Sequence, residues 1–553
     1  FEYFSEDPYL TGEIAKSHIY GVQSRGVGTS LKHYAVNNFE IERFRASAEV
    51  DERTLREIYL PHFEMAVKEA QPWTVMCSYN RINGVFASEN GYLLNTILRD
   101  EWGFEGAVIS DWGAVHNIHE PVKNGLDLEM PGPAKFFRQL PAAVHFWQID
   151  EADIDQAARR VLRLVVLSGR MEGSRTMGAI NTAEHQVLAR QLAESAITLL
   201  KNEGEALPLD IHKLRSIAVI GPNAGEAVIA GGGSSHVDPP YRISPYQAIR
   251  DVLGDSLRIS YAQGGDNFDE PFTIPSSWLE GGLYFAAFTD SDFSGKPVFE
   301  TTIQQPKVWL NTDWSEIDPP PGGLICQGRL SVPEDGRYRF ILHHGGVIRL
   351  LLDGELLMVS TGNGKEQRSE VRYHFRAGHR YELCVEYLRP PDQEVFSLRL
   401  ALGRTYEDGM DHRLAQAVQA ARSSDVALVF GGYPEAFESE GHDREDLDLP
   451  GGQNELISAV ASENPNTIVV LNTGAPVSMP WIDQVAAILM AYYPGQENGA
   501  AVTNVLTGLV NPSGKLPITL PRKLEQSPAY INASYAGACE VRYGEGIFVG
   551  YRY

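Results

Sequence analysis

A run of apolar β-formers, Gly106-Ala-Val-Ile-Ser110, ends abruptly in an exposed-looking acid, Asp111, followed by Trp112, and this feature narrows the possible folds most. A short, wholly apolar strand is buried on both faces, as in a parallel sheet covered by helices. In a β/α barrel such strands end at the face that carries the catalytic groups. A carboxylate at that point is a candidate nucleophile. The competing role for Asp111 is to cap a following helix.

Neighbouring segments repeat the design. Ser30-Leu-Lys32-His33-Tyr-Ala, Thr74-Val-Met76-Cys-Ser-Tyr79 and the shorter Leu126-Asp-Leu-Glu-Met130 are strands closed at one end by polar residues, with amphipathic stretches such as 52–70 between them. That alternation is a βαβ series, and four strands make about half of an eight-stranded barrel. From about residue 176 a second texture begins with Leu199-Leu-Lys-Asn and Ser216-Ile-Ala-Val-Ile. It returns after residue 411 in Asp425-Val-Ala-Leu-Val-Phe, Asn466-Thr-Ile-Val-Val-Leu-Asn and Val485-Ala-Ala-Ile-Leu-Met. These segments predict buried parallel strands of one further α/β sheet. Between its two halves the chain alternates on a period of two with Gly and Pro turns, as in Tyr338-Arg-Phe-Ile-Leu and Tyr381-Glu-Leu-Cys-Val-Glu-Tyr, which predicts a β-sandwich. The expected class is therefore α/β: the C-terminal half of a (β/α)8 barrel over 1–175, followed by an α/β sandwich domain in two parts, 176–260 and 405–525. An all-β sandwich insert over 261–404 interrupts that domain, and a tail occupies 526–553.

A chain of 553 residues has room for several such cores, and 43% hydrophobic with 22% charged residues is the balance of a globular protein. A net charge of -25 argues against nucleic acid and anionic membranes as partners, because both are bound through positive surface. Cys77, Cys326, Cys384 and Cys539 are too scattered for a disulfide framework or a paired zinc motif. No apolar run approaches the roughly 18 residues that span a bilayer. The opening Phe1-Glu-Tyr-Phe resembles neither a signal peptide nor a start of translation, and the alternating end from Tyr543 to Tyr553 is expected to pair with strands beyond it. Both ends read as interior to a longer protein, and secreted and cytoplasmic locations both stay open, as does self-association.

Hydrolysis of a glycoside with retention takes two carboxyl groups roughly 5 to 5.5 Å apart, one nucleophile and one acid/base. Asp111 supplies one. The second is sought on an acidic loop that reaches across a cleft, and Glu435-Ala-Phe-Glu438-Ser-Glu440-Gly441-His442-Asp443-Arg444 is the best candidate. Gly441 permits a tight backbone there and Arg444 can hold a neighbouring acid ionised; a solvated acidic face is the alternative. Lys32, His33, Arg43 and Tyr79 are singly ordinary polar residues. Together they would give donors and stacking surface for sugar hydroxyls, with Trp112 as an apolar platform. Rival chemistries lack their parts. Gly221-Pro-Asn-Ala-Gly225 and Gly231-Gly-Gly-Ser-Ser have neither P-loop nor dinucleotide spacing, His116 and His119 lack a third metal ligand, and the calcium-like run from Asp290 fails at its last position, Thr301. Neither metal nor cofactor is expected.

The segments Glu2-Tyr-Phe-Ser-Glu-Asp-Pro-Tyr, Lys32-His33-Tyr-Ala-Val-Asn-Asn, Val50-Asp-Glu-Arg-Thr-Leu-Arg-Glu-Ile-Tyr, Val75-Met-Cys-Ser-Tyr-Asn, Ser110-Asp-Trp-Gly-Ala and Glu440-Gly-His-Asp-Arg resemble, in order, the motifs of glycoside hydrolase family 3. The likeness covers nearly the whole chain. It implies a retaining, exo-acting β-glycosidase, a β-glucosidase first and a β-xylosidase or xylosidase/arabinosidase second, acting on small β-glycosides or oligosaccharides. It implies Asp111 as nucleophile and Glu440 as acid/base, with Glu438 as a fallback acid, and a sugar subsite lined by Lys32, His33, Arg43, Met76, Tyr79 and Trp112. The insert looks like the protective-antigen-like sandwich of some family members, and residues 543–553 resemble the family's lead into a fibronectin-like domain. Two departures bear on function. The family's earlier barrel half, with a sugar-clamping Asp and Arg, has no counterpart before Phe1, and Phe39 stands where Gln is usual. Half a barrel would leave sheet edges unpaired, so a second polypeptide or a fragment is implied, and a catalytically silent carbohydrate-binding fragment is the alternative of another class. The motif after Lys32-His33 disfavours the family's His-Asp dyad mechanism.

Overall fold

The computed structural model describes residues 3–171, 173, 178–267, 274, 276–303, 312–313, 321–362, 367–389, 395–396, 398–404, 412–435, 437–441, 443–532 and 539–553. The chain forms two units, 1–267 with 417–553, and 268–416.

In the first unit, Ser30–Tyr34, Thr74–Cys77 and Ala107–Ser110 run parallel, with Thr74 opposite both Ser30 and Ala107. Leu128 extends the array by a parallel bridge to Ile109. These are the four consecutive β-segments expected of part of a β/α barrel. Val75, Cys77 and Val108 are fully buried, and Tyr34 packs edge to face on Phe63 and Trp102 at centroid distances of 5.1 and 5.9 Å. Burial of each large side chain here is worth about 1.5–3 kcal/mol. Asp127, next to the bridge residue Leu128, is a buried charge among them. Its carboxylate accepts hydrogen bonds from Arg99 Nη2 (2.8 Å), Arg160 Nη1 (2.9 Å) and the Val108 N–H (2.8 Å). It thereby ties the helices Tyr92–Glu101 and Glu151–Leu167 to the strand that delivers Asp111.

The second sheet has the order Thr198–Asn202, Ala487–Met490, Thr467–Asn472, Val426–Gly432, Ser216–Ile220, Arg258–Ala262. Five strands are parallel, but Thr198–Asn202 pairs antiparallel with Ala487–Met490, against the expectation that the Leu199 segment would be parallel. An apolar run on a sheet looks the same in either direction; the connection that feeds it decides. Helices Ala183–Ala196, Pro245–Leu253 and Asn498–Leu506 share one apolar core with this sheet. Arg258–Ala262 pairs along its whole length with Ser216–Ile220, so Tyr261 and Ala262, which the sequence assigned to the insert, belong to this sheet. Glu540–Arg542 pairs in parallel with Ser47–Glu49, and Val541 and Tyr543 enter the barrel core, so this end folds back on the first domain.

The second unit is an antiparallel β-sandwich, as its alternation predicts. A six-stranded sheet that includes Leu279–Phe288, Gly323–Leu330, Tyr381–Leu388 and Val347–Leu352 shares a core with the sheet of Gln367–Phe375, Gly336–His344 and Leu398–Arg404. Phe285, Phe340, Phe375 and Tyr387 fill it.

Asp127→Ala would leave two arginines without the buried carboxylate that neutralises them. The expected loss is about 3–5 kcal/mol of unfolding free energy, read by denaturant titration, with the midpoint lowered.

Candidate active site

Asp111 sits one residue past Ala107–Ser110, and the sheet's register brings Met76, opposite Ile109, to the same strand ends. The sequence suggested an exposed acid; the residue is instead only 6% exposed. Its Oδ1 accepts the Trp112 N–H at 2.7 Å and its Oδ2 lies 3.3 Å from His33 Nε2. No helix follows directly, since the next one begins at His119, so Asp111 is not a helix cap. Burial pushes its carboxyl above the usual range, while the Trp112 N–H, the Tyr79 hydroxyl, Lys32 and Arg43 pull it back. Trp112 takes part through its backbone; its ring is 48% exposed.

Glu440 arrives from the other domain on the acidic loop, of which Ala436 and His442 lie outside the described residues. The loop is no solvated face. Glu438 is 4% exposed and accepts from the Gly474 N–H (2.7 Å), the Ala475 N–H (3.1 Å), the Thr473 hydroxyl (3.1 Å) and the Tyr493 hydroxyl. Those bonds occupy the carboxylate that sequence reasoning kept as a fallback acid and make it an anchor. Arg444 attends Glu438, at 3.9 Å, and stacks on Tyr433. Glu440 is steadied instead by the Ser234 N–H, 2.8 Å from Oε2, and by Arg43, whose Nη1 is 3.6 Å from Oε1. Burial raises the Glu440 carboxyl, but Ser234, Arg43 and Lys32 outweigh it and hold the group below the usual carboxylate range.

The expected cluster is thus largely brought together. Arg43 lies 4.5 Å over the Tyr79 ring while reaching Glu440, and Tyr79 acts on Asp111. Lys32 influences His33, Asp111 and Glu440 alike. Burial, reinforced by Lys32, pulls the His33 imidazole down to about 3, so it is neutral at ordinary pH. A cavity of about 450 Å³ borders the cluster, with His33, Asn37, Glu40, Phe437, Glu440 and Asp443 in its wall.

Three participants escaped sequence reasoning: Glu40, Asp443 and Ser234. The glycine run before Ser234 was the available signal. Gly233 has φ +75°, and a Cβ there would press on Glu440 at 3.0 Å, so the glycine run is shaped by the acid loop packed on it.

A strand-end acid and a loop acid are thus gathered around the same two cations, Lys32 and Arg43. Residues 1–164 match the glycosyl hydrolase family 3 N terminal domain and residues 197–551 its C-terminal domain, and the chain belongs to glycosyl hydrolase family 3. It is similar to Beta-glucosidase B of Emericella nidulans, with 38% identity over 592 residues spanning 100% of this chain and 69% of that protein. It is likewise similar to a Beta-glucosidase of Rhizobium radiobacter, with 39% identity over 576 residues and the same coverage of both. Among solved structures, the β-glucosidase from Kluyveromyces marxianus in complex with glucose has a TM-score of 0.86 and 33% identity, over 100% of this chain and 69% of that one.

Because the folded state keeps His33 neutral down to about 3, the unfolded chain binds more protons between there and about 6.5. Stability therefore falls as pH drops through that window. His33→Gln is expected to flatten this slope in unfolding free energy measured from pH 7 to 4, and the His33 ring protons should not titrate by NMR between pH 5 and 8.

Proposed function

We propose that the chain is a retaining, exo-acting β-glucosidase in which Asp111 is the nucleophile, Glu440 the acid/base, and Lys32, His33, Arg43, Met76, Tyr79 and Trp112 the lining of the sugar subsite. The observation that carries this proposal is the linkage of the two acids: Asp111 at a rigid strand end and Glu440 on an anchored loop act on the same Lys32 and Arg43. The relatives named above add weight to glucose as the sugar.

Asp111 attacks the anomeric carbon while Glu440 protonates the departing oxygen; Glu440 then takes a proton from water, which releases the sugar from the ester on Asp111. Neutral His33 presents an imidazole beside Asp111 without adding a charge that would pin the nucleophile in its ground state. The unliganded surroundings favour Glu440 as a carboxylate, the form needed as base in the second step. For the first step the proton must return to it. A bound sugar that excludes water deepens burial and raises its affinity for that proton.

Asp111→Asn should lower kcat on an aryl β-glucoside by at least about 10³-fold with the unfolding curve little changed. Retained turnover would remove Asp111 as nucleophile. Glu440→Ala should keep activity on good leaving groups and be accelerated by azide, which needs no general base to attack the ester. Xylosides or arabinosides cleaved faster than glucosides would replace the sugar assignment.

A further inference from the structure

Glu40 and Asp443 form a crossed clasp around Glu440. Glu40 Oε2 accepts the Gly441 N–H at 2.6 Å, and the Asp443 carboxylate accepts the N–H groups of Glu40 and Ile41, each at 3.0 Å. The loop is thus pinned to segment 40–43 on the C-terminal side of Glu440, with Gly441 in the left-handed region at φ +76°. The same Glu40 Oε2 takes Arg43 Nη1 at 2.7 Å, while that Nη1 is 3.6 Å from Glu440 Oε1. One guanidinium serves two acids, and the nearer one is not Glu440.

We propose that Glu40 is a positioning residue for Glu440: it draws the Arg43 charge toward itself and fixes the Gly441 amide, which leaves Glu440 able to hold a proton for the leaving group. The proposal rests on Glu440 being the acid/base. An acid catalyst bound tightly by an undivided guanidinium would be locked as a carboxylate, since an opposite charge at hydrogen-bonding distance favours the ionised form. Sharing the cation relieves this. Among the described residues, the charged and titratable groups that face Glu440 are Arg43, Lys32 and Glu40, with His33 and Tyr79 from the strand ends; the Ser234 amide and hydroxyl face it from the glycine loop. Those facing Glu40 are Arg43, Asp443 and Glu440 itself. Among the described residues, Glu40 is the carboxylate that stands opposite Glu440 across the same guanidinium nitrogen.

The test is Glu40→Gln, which keeps an acceptor for Gly441 and removes the charge. pH–rate profiles are measured on two aryl β-glucosides, one with an activated and one with a poor leaving group. The basic limb, set by loss of the Glu440 proton, should move to lower pH by about 0.5 to 1 unit. The kcat for the poor leaving group should fall about tenfold and that for the activated one less than about threefold, with KM little altered. An unmoved limb with both substrates slowed equally would mean a purely structural role and would overturn the proposal. If Glu40→Gln does not fold, Asp443→Asn is read on the same pair: a larger loss on the poor leaving group supports the clasp, and equal losses overturn it. Azide rescue of Glu440→Ala is run alongside, and its failure would strike at the acid/base assignment itself and not at Glu40.

Discussion

Arg43 is the hinge of the arrangement. Its side chain is 11% exposed, it lies over the Tyr79 ring, and it faces Glu40 and Glu440. A guanidinium so far from water is tolerable only if carboxylates neutralise it. That requirement draws the acid loop of the second domain onto the first. The strand ends alone would offer the Asp111 carboxylate with nothing opposite it.

The two acids are held in different ways. Asp111 ends a strand whose residues are packed on both sides and whose backbone is tied to Asp127, so its place is set by the sheet. Glu440 lies on a loop, yet the loop is pinned on either flank. The Glu438 carboxylate anchors it to Thr473, Gly474 and Ala475 on one side, and Asp443 anchors it to Glu40 and Ile41 on the other. Carboxylates accept several backbone N–H groups at once, which makes them good fasteners where no regular structure exists. Preorganisation of this kind places an acid without the rearrangement that a free loop would need.

Each element of the α/β class was legible where periodicity is informative. The four barrel strands, the central strands of the second sheet and the sandwich of the second unit follow from apolar runs and two-residue alternation. The antiparallel sense of Thr198–Asn202 was not legible, because Thr198-Leu-Leu-Lys has the same pattern in either direction. Nor was the place of Arg258–Ala262, a strand of mixed polarity at the sheet edge, where half-exposed residues weaken the signal. At the site, Asp111 could be found because a charged residue interrupts an apolar strand. Glu438 and Glu440 could not be told apart by composition, since both are glutamates of one acidic loop.

The sequence by itself determined the strand-end carboxylate, the polar residues that close the neighbouring strands, and the acidic loop, because local pattern encodes burial and turn chemistry. Only the tertiary structure decided which acid of that loop faces the cluster, and which residues fasten it. Glu440 meets Arg43 and Ser234, Glu438 is consumed by backbone amides, and Glu40 and Asp443 exchange amide contacts across the domains. Most of those pairings join residues hundreds of positions apart, and the Glu438 bonds span 36. Hydrogen bonds and charge pairing depend on distance in space, which no local pattern of residues records.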